Sequence, residues 1–331
     1  MATAEQTSTD IGALYVEARQ RMSLSTNGVN PADRPAVVIR DLWMSFPGKR
    51  AGEPVHVLER INVEVRHGEF VCFVGPSGCG KSTLLNIVGG FLTATRGELL
   101  VEGKPVRGPD PRRIFVFQEN GVFPWLTVQD NIGFGLLRKT RAERQRIVQH
   151  YTEMVGLTGF ERSYPRELSG GMRQRVEIAR ALAANPDIIY MDEPFGALDF
   201  LTRLKMRADL VRIWQEERKT ILFVTHDIEE AVQLADRVMV MSRRPATIQT
   251  VVAIDLPRPR DLESSDYLLA RDRIFTAMGM NPHSGGEIIE EAADRTSPPG
   301  PRIRHPFTGR EASGDLATGR RLGWPGACPP G

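Results

Sequence analysis

The sequence predicts an α/β fold, because short runs rich in β-branched and aromatic residues alternate with longer stretches of helical periodicity. A glycine-rich turn follows one of these apolar runs, and a pair of carboxylates follows another. The carboxyl ends of parallel strands meet at one edge of a sheet, so the pattern predicts a ligand site at that edge. The predicted strands are the segments 36–39, 61–65, 69–74, 114–117, 188–191 and 220–224.

Helical stretches separate these strands. In one of them Val176, Ala179 and Ala183 share a face, which we expect to pack inward. The segment from about 123 to 167 is rich in helix and interrupts two strands of the core, which predicts an inserted helical subdomain. The predicted helices are the segments 81–89, 141–155, 171–184, 203–218 and 228–234.

Composition limits the classes of function. The 331 residues carry a formal net charge of +2 without a long block of one sign, which argues against nucleic acid as a partner. The start of the chain lacks the pattern of a secretory signal, and no apolar run approaches the roughly 18 to 20 residues that span a bilayer. Three cysteines, Cys72, Cys79 and Cys328, lack metal-ligand spacing and predict free thiols in a reducing compartment. We expect a cytosolic protein that reaches a membrane only through a partner.

The two ends of the chain differ from its middle. Residues 1–35 are rich in Ser, Thr, Asn and Ala, and residues 282–331 are dense in Gly, Pro and Arg with few large apolar side chains. These compositions predict a flexible N-terminal extension and a disordered C-terminal tail. The predicted folded domain covers residues 36–281.

A glycine-rich loop between a strand and a helix predicts a phosphate site. The strand 69–74 runs directly into a segment that fits Gly-x-x-x-x-Gly-Lys-Ser/Thr. Glycines let backbone amides converge on phosphate, and the start of the helix adds the positive end of its dipole. An ordinary glycine turn with a solvated lysine is the alternative, which the flanking strand and apolar helix oppose. The residues predicted to contact the nucleotide are Gly75, Pro76, Ser77, Gly78, Cys79, Gly80, Lys81, Ser82 and Thr83.

Three of these loop residues have side chains with distinct predicted roles. Lys81 supplies a mobile charge for the β and γ phosphates, Ser82 a hydroxyl ligand for Mg²⁺, and Thr83 a donor to the α phosphate. Cys79 is interpreted as a small residue that the loop tolerates rather than as a redox centre.

Two carboxylates end the strand 188–191. Asp192 is suited to hold Mg²⁺, usually through water, and Glu193 to orient or deprotonate the water that attacks the γ phosphate. His226 emerges after the strand 220–224 at the same edge, where we expect it to contact the γ phosphate. The alternatives are a solvated pair of acids and a structural histidine. Together these residues predict hydrolysis of ATP with Mg²⁺.

The segment Leu-Ser-Gly-Gly-Met-Arg-Gln at positions 168–174, followed by a helix and the carboxylate strand, resembles the signature of ABC-type ATPases. The resemblance spans roughly residues 37–280 and implies a P-loop NTPase core, a RecA-like mixed sheet flanked by helices. An antiparallel β subdomain and an inserted helical subdomain belong to that implied fold. It further implies that Ser169, Gly170 and Gly171 lie in a site shared across a dimer, with Ser169 and Gly171 meeting the γ phosphate bound by the opposite subunit.

The same resemblance assigns three further residues. Gln118 looks like the family's Q-loop glutamine, which touches Mg²⁺ and relays to the membrane partner. Asp199 lies in a segment that looks like the D-loop, and Phe46 looks like the aromatic side chain stacked on adenine. Trp43 is close to Phe46 in the sequence and is the alternative for the stacking residue.

Further segments resemble the nitrate, sulfonate and taurine importer ATPases. They are Phe-Pro-Trp-Leu-Thr-Val-Gln-Asp-Asn-Ile at 123–132, Glu-Pro-Phe-Gly-Ala-Leu-Asp at 193–199 and Leu-Pro-Arg-Pro-Arg at 256–260. The resemblance implies a dimer of ATP-binding subunits on the cytoplasmic face of the inner membrane. It implies docking on two transmembrane permease subunits, which receive solute from an extracytoplasmic binding protein. A groove near Gln118 and the inserted helices would take the permease's coupling helix; the solute itself is not indicated.

Two other functions remain as alternatives. A soluble ABC ATPase of DNA repair or translation would carry a very long coiled coil or two cassettes, and neither pattern is present in the sequence. A nucleotide-binding regulator that does not hydrolyse ATP is opposed by the full set of Lys81, Asp192, Glu193 and His226.

Overall fold

The computed structural model describes residues 35–48, 53–117, 121–196 and 198–281. The N-terminal extension up to residue 34 and the tail 282–331 lie outside the described residues, so their predicted flexibility stays a prediction. Among the described residues, none of the helices combines the length and the apolar character that crossing a bilayer requires.

Two sheets carry the strands of the described residues. One has the order β10-β9-β3-β8-β7-β6; its neighbouring strands are parallel except that β10 runs antiparallel to β9. The other is antiparallel, with the order β2-β1-β4-β5. The strands are β1 (Pro35–Pro47), β2 (Pro54–Arg66), β3 (Phe70–Val74), β4 (Arg96–Val101), β5 (Lys104–Pro105), β6 (Arg113–Val116), β7 (Ile188–Asp192), β8 (Thr220–Thr225), β9 (Arg237–Met241) and β10 (Ile248–Ala253).

Helices connect the strands of the mixed sheet. Three of them lie between β6 and β7, together with two short 3₁₀ turns at Gly133–Leu136 and Pro165–Glu167. The first two of these helices and both turns fall within the segment 123–167, where the helical subdomain was predicted. The α-helices of the described residues are α1 (Lys81–Gly89), α2 (Val128–Ile132), α3 (Arg141–Met154), α4 (Gly170–Ala183), α5 (Phe200–Glu217), α6 (Ile228–Leu234) and α7 (Ser265–Ala277).

The mixed sheet separates two apolar cores. Along β3, Phe70 and Cys72 pack with the helices α4 to α7, whereas Val71 and Phe73 pack with α1 and the antiparallel sheet. This alternation follows from the two-residue period of a strand, and it explains why all five residues of β3 are buried. The predicted α/β fold, with its mixed sheet and antiparallel sheet, is confirmed.

Some elements differ from the sequence prediction. β1 continues to Pro47, whereas the predicted strand ended at residue 39. A bulge lies at this point: Asp41 adopts a φ of 42°, and the register against β2 shifts between Ile39 and Leu42. Such a bulge breaks the two-residue alternation that a sequence pattern relies on. α5 begins at Phe200 rather than at 203, because Asp199 caps it. The strands β4, β5, β9 and β10 and the helices α2 and α7 were not predicted.

Candidate active site

The polar residues predicted for the site follow three neighbouring strands of the mixed sheet. The strands β3, β8 and β7 are adjacent and parallel, so their carboxyl ends share one edge. The phosphate loop follows β3, His226 follows β8, and Glu193 follows β7. The sheet therefore brings together groups that are far apart in the sequence. We call Lys81, Ser82, Asp192, Glu193 and His226 the strand-end cluster.

The phosphate loop requires glycine at two positions. Gly80 has a φ of 125°, and a Cβ there would lie 2.9 Å from the Val57 side chain of β2. Gly78 has a φ of 74° in a turn that the Cys79 amide closes by donating to the Pro76 carbonyl at 3.2 Å. A side chain would strain both conformations. The glycines thus let the loop backbone approach a ligand closely.

Lys81 occupies the first position of α1 and is only 5% exposed. Its ammonium donates to the carbonyls of Gly75 at 2.9 Å and Pro76 at 3.1 Å, and an ammonium has three donors, so these bonds leave one for a ligand. No side chain caps the start of α1 at Gly80, so its first amides are available to an anion. The loop thus offers a positive charge and a helix start to the same ligand.

Ser82 and Asp192 form a hydroxyl–carboxylate pair, in which Ser82 Oγ donates to Asp192 Oδ1 at 3.0 Å. Burial raises the pKa of Asp192; the hydrogen bond from Ser82 opposes this shift, and the Glu193 carboxylate adds to it. Hydroxyl and carboxylate oxygens are ligands that Mg²⁺ takes alongside phosphate oxygens and water. In the part of the chain that the structure describes, no group of three or more His, Cys, Asp or Glu side chains is placed to hold a metal ion.

Glu193 contacts His226 directly, with His226 Nδ1 3.0 Å from Glu193 Oε2. In the tautomer that carries its proton on Nδ1, His226 donates this hydrogen bond to the carboxylate. Glu193 has a φ of 45°, which is uncommon for a residue with a side chain, and its amide donates to the Val224 carbonyl at 2.9 Å. Strained backbone of this kind clusters at functional sites. The strain and the bond to β8 fix the position of the carboxylate.

A buried polar group fixes the chain after His226. Asp227 caps α6 by accepting from two amides of its first turn. Glu230, which is 3% exposed, accepts from Thr225 Oγ1 at 2.7 Å and from Arg207 Nη2 at 3.1 Å. Burial raises the pKa of Glu230. The residues around His226 are thereby tied to α5 and α6.

The predicted signature residues lie at helix starts. Ser169 Oγ accepts from the Met172 amide at 3.2 Å, and Asp199 Oδ1 accepts from the Thr202 amide at 3.1 Å. Hydrogen bonds from the side chain and the amide of Thr202 lower the pKa of the exposed Asp199. A Cβ on Gly171 would lie 2.5 Å from the Thr202 methyl group, so glycine lets the two helix starts pack closely. We call Ser169, Gly170, Gly171 and Asp199 the helix-start surface.

A cleft of about 180 Å³ opens at the phosphate loop. The residues that line it are Ser77, Gly78, Gly80, Lys81, Ser82, Thr83, Glu193 and Arg244. The helix-start surface is not part of this lining. Within one chain, the structure therefore brings the phosphate loop together with Glu193 but not with Ser169 or Asp199.

The two aromatic candidates for adenine stacking have different surroundings. Phe46 lies on β1 opposite Val55, where it is half-buried and packs against the core beneath. Trp43 donates its indole N–H to Asp41 at 2.9 Å and lies under the Arg96 guanidinium. The Trp43 ring is thus engaged on the protein surface, which favours Phe46 as the stacking candidate.

The phosphate-loop cysteine has no sign of a reactive role. Cys79 and Cys72 are buried free thiols. Burial raises the pKa of the Cys79 thiol, with the Lys81 ammonium opposing the shift. A neutral thiol is a poor nucleophile, which agrees with the interpretation of Cys79 as a small tolerated residue.

Sequence reasoning missed Glu177, a buried carboxylate on α4. It is 0% exposed and accepts from the amides of Phe117 at 3.2 Å and Gly121 at 3.0 Å. Burial raises its pKa, and these two amides oppose the shift. A Cβ on Gly121 would lie 2.5 Å from Glu177 Oε1, so a side chain there would displace the carboxylate. The predicted Mg²⁺ contact Gln118 lies outside the described residues, as does Ala197 of the predicted D-loop.

Arg244 was also missed. It lies in the turn between β9 and β10, donates to the Gly78 carbonyl at 2.5 Å and lines the cleft. A signal was present in the sequence, since two arginines at 243–244 closely follow the apolar run 238–241. Recognising that run as a strand would have placed the turn that holds Arg244 beside the phosphate loop.

Comparison with known proteins gives consistent matches. A profile of the family described as ABC transporter matches residues 58–196. A putative ATP-binding protein of Brucella abortus is 46% identical over 250 residues, which cover 74% of this chain and 94% of that protein. The aliphatic sulfonates import ATP-binding protein SsuB of Bacillus cereus is 45% identical over 221 residues, covering 67% of this chain and 88% of that protein.

A solved structure matches as well. The dimeric structure of a post-hydrolysis state of the ATP-binding cassette MJ0796, bound to ADP and Pi, aligns with a TM-score of 0.57 and 33% sequence identity. The alignment covers 66% of this chain and 98% of that one.

Proposed function

Because the chain belongs to the family of ABC transporter ATP-binding proteins and is an ATPase of that family, we propose that it powers an importer for a small oxyanion-bearing solute. The 45% identity to an aliphatic sulfonates import ATP-binding protein favours sulfonates, and nitrate and taurine are the other solutes of the subgroup that the sequence resembles. The observation that carries the proposed mechanism is the strand-end cluster, in which Glu193 contacts His226 and Ser82 contacts Asp192. Three members of the cluster, Lys81, Ser82 and Glu193, line one cleft.

In the proposed reaction, water attacks the γ phosphate in line with the leaving oxygen. Glu193 orients this water or accepts its proton, and its strained backbone holds it in place. Lys81 and the first amides of α1 spread the charge on the phosphates. His226, held through Nδ1 by Glu193, contacts the γ phosphate.

Mg²⁺, bound with ATP, would polarise the phosphate oxygens and neutralise part of their charge. Ser82 and Asp192 would hold it, joined by Gln118. The raised pKa of Asp192 supports this role, since a cation stabilises the charged form that burial disfavours.

A second copy of the chain completes the proposed site. The helix-start surface does not line its own cleft, and Phe200 and Leu201 beside it are 70% and 74% exposed. Exposed amides at a helix start with a small hydroxyl form an anion site, and the apolar pair suits a protein contact. Ser169 and Gly171 of one copy would therefore meet the γ phosphate bound by the other, with Gly170 and Asp199 alongside.

Transmembrane permease subunits are the proposed membrane partners. Within the segment 123–137, which contains α2 and the turns on either side of it, Trp125 is 69% exposed, Phe134 47% and Leu137 81%, and Phe123 contacts the rings of Trp125 at 5.6 Å and Phe134 at 4.5 Å. An apolar surface of this kind suits a docking helix. The subunit would thereby sit on the cytoplasmic face of the inner membrane, and an extracytoplasmic binding protein would deliver the solute.

The Glu193→Gln variant tests this function. The amide keeps the size and hydrogen bonding of Glu193 but is not a base, so we expect ATP to bind, hydrolysis to fall about a thousandfold and a dimer to accumulate. Turnover would be measured by phosphate release and the dimer by light scattering. Near-normal turnover would contradict the role of Glu193.

Identifying what co-purifies with the ATP-trapped variant from detergent-solubilised membranes tests the importer. We expect a multi-span permease with a binding protein, and recovery of ribosomes or DNA instead would support a soluble ABC ATPase. Replacing Trp125 and Leu137 with Ser should abolish the permease capture, and replacing Leu269, 56% exposed on α7, should not.

A further inference from the structure

The turn between β9 and β10 places a second cation beside the phosphate loop. Arg244 Nη2 donates to the Gly78 carbonyl at 2.5 Å, and Arg244 lines the same cleft as Lys81 and Glu193. A guanidinium carries five N–H donors in a fork that matches phosphate oxygens. The bond to Gly78 uses one of them and sets the position of the group.

The protein holds this turn on two sides. Ala246 donates its amide to the Val57 carbonyl of β2 and accepts from the Glu59 amide, both at 2.9 Å. Within the turn, the Thr247 amide donates to Ser242 Oγ at 2.9 Å. Arg244 therefore projects from an anchored backbone, and a residue held in this way binds with less loss of conformational entropy.

The order of the strands places Arg244 at one end of the cleft. β9 and β8 lie on opposite sides of β3, and β7 lies beyond β8. Arg244 follows β9, whereas Glu193 follows β7 and His226 follows β8. The groups proposed to act at the γ phosphate thus lie on one side of Lys81, and Arg244 lies on the other.

The charges of the cleft leave a role for a further cation. Asp192 and Glu193 are both acidic and close to Lys81, and they would repel a polyphosphate. One buried ammonium balances only one of these two carboxylates. Arg244 adds a second positive charge to the lining of the cleft.

We propose that Arg244 is a second phosphate-binding cation of the nucleotide cleft and contacts the α and β phosphates, at the end away from Glu193. The inference rests on the phosphate site of the proposed function. ATP and ADP share these two phosphates, so Arg244 strengthens the binding of both to the same extent. Its removal raises KM far more than it lowers kcat.

Arg244→Gln is the main test, because a glutamine amide can still donate to the Gly78 carbonyl but carries no charge. Affinities for ATP and ADP would be measured by direct titration, kcat and KM by phosphate release, and folding by the midpoint of thermal unfolding. We expect both affinities to fall about tenfold, as for the loss of one charge-assisted contact. Arg244→Lys, which keeps the charge without the fork, should lose about threefold.

Two comparison variants separate the possible results. Arg243→Gln removes an equal charge from the neighbouring exposed residue and should leave both affinities unchanged. Lys81→Ala removes the central cation and should abolish measurable binding. Wild-type affinities in Arg244→Gln, with binding lost in Lys81→Ala, would overturn the role of Arg244 and leave the phosphate site standing.

Other results also decide the question. If Lys81→Ala bound nucleotides normally, the phosphate site and the role of Arg244 would both fail. If Arg244→Gln weakened ATP but not ADP, the placement at the α and β phosphates would be wrong. Equal losses in Arg243→Gln and Arg244→Gln would indicate a general effect of charge and would overturn the proposal.

Discussion

The strand-end cluster and the helix-start surface differ in where their hydrogen bonds go. In the strand-end cluster, Ser82 bonds to Asp192 and Glu193 to His226, so residues from three strand ends hold one another. On the helix-start surface, Ser169 and Asp199 cap their own helices and remain exposed. A single chain therefore assembles one half of the proposed site, and presents the other half outward.

This difference has a physical origin. Parallel strands end at a common edge of the sheet whatever sequence separates them. A sheet therefore brings residues that are distant in the sequence close together within one chain, without a second subunit. A helix start directs its free amides along the helix axis, and here the two starts pack against each other rather than against the cleft.

Mixing two inactive variants gives the largest effect. Lys81→Ala disables the phosphate loop, whereas Ser169→Asp keeps a good helix cap but places a negative charge where the γ phosphate would bind. Each variant alone should lose hydrolysis by about a hundredfold or more. An equal mixture should recover about one quarter of the wild-type rate, because half of the random dimers hold one intact site of two.

The mixture has an internal control. Ser169→Asp should bind ATP as wild type does, since the helix-start surface is not part of its own cleft. Titration of ATP under conditions that prevent hydrolysis measures this affinity. A mixture no more active than its components would show that the two halves act within one chain, contrary to the comparison.

The buried carboxylate Glu177 should matter more for stability than for nucleotide binding. Replacing Glu177 with Ala leaves the amides of Phe117 and Gly121 without their acceptor, at a cost of about 2 to 4 kcal/mol in the free energy of unfolding. Gly121→Ala should also destabilise, because its Cβ would lie 2.5 Å from Glu177 Oε1 and would displace the carboxylate from the two amides. Denaturation in urea measures both changes.

An exposed glutamate provides the matched control. Glu216→Ala, on the solvent side of α5, should change the free energy of unfolding by less than about 0.5 kcal/mol. If Glu177→Ala were equally mild, the carboxylate would not anchor the residues on both sides of Gln118.

The smallest expected effect is a change in pH dependence at Glu230. Burial raises its pKa in the folded protein, with Asp227 adding to the shift and Thr225 and Arg207 opposing it. A raised carboxyl pKa means that the folded state holds the proton more tightly than the unfolded state does. Its stabilising contribution is therefore complete below about pH 4.5 and is lost as the pH rises through the folded pKa.

Replacing Glu230 with Gln removes this titration. The stability of wild type relative to the variant should accordingly decline as the pH rises from about 4.5, and urea denaturation at several pH values measures the trend. A difference that stayed constant or grew with pH would show that the folded protein does not favour the protonated form of Glu230.

Strands were predicted correctly where they are continuous apolar runs. They were missed where pairing with a neighbouring strand determines that the segment is a strand. The buried strands β3, β7 and β8 were found from their runs alone. β4 contains a glycine and charged residues, and it is a strand because it pairs with β1. Its Gly97 has a φ of 101°, and a Cβ on Gly97 would lie 2.3 Å from the Asp41 carbonyl oxygen of β1. β9 is a short apolar run, which periodicity cannot assign, and its pairing with β3 makes it a strand.

The phosphate loop, the carboxylate pair, His226 and the signature could be predicted from the sequence alone, because each combines residue types and spacing that local chemistry requires. Which of these groups meet depends on the tertiary structure. It joined Ser82 to Asp192 across 110 positions, kept Ser169 out of the cleft, buried Glu177 against Phe117 and Gly121, and brought Arg244 to Gly78. The reason is that strand order and helix packing are set by the burial of apolar surface over the whole domain, and a local pattern carries no record of them.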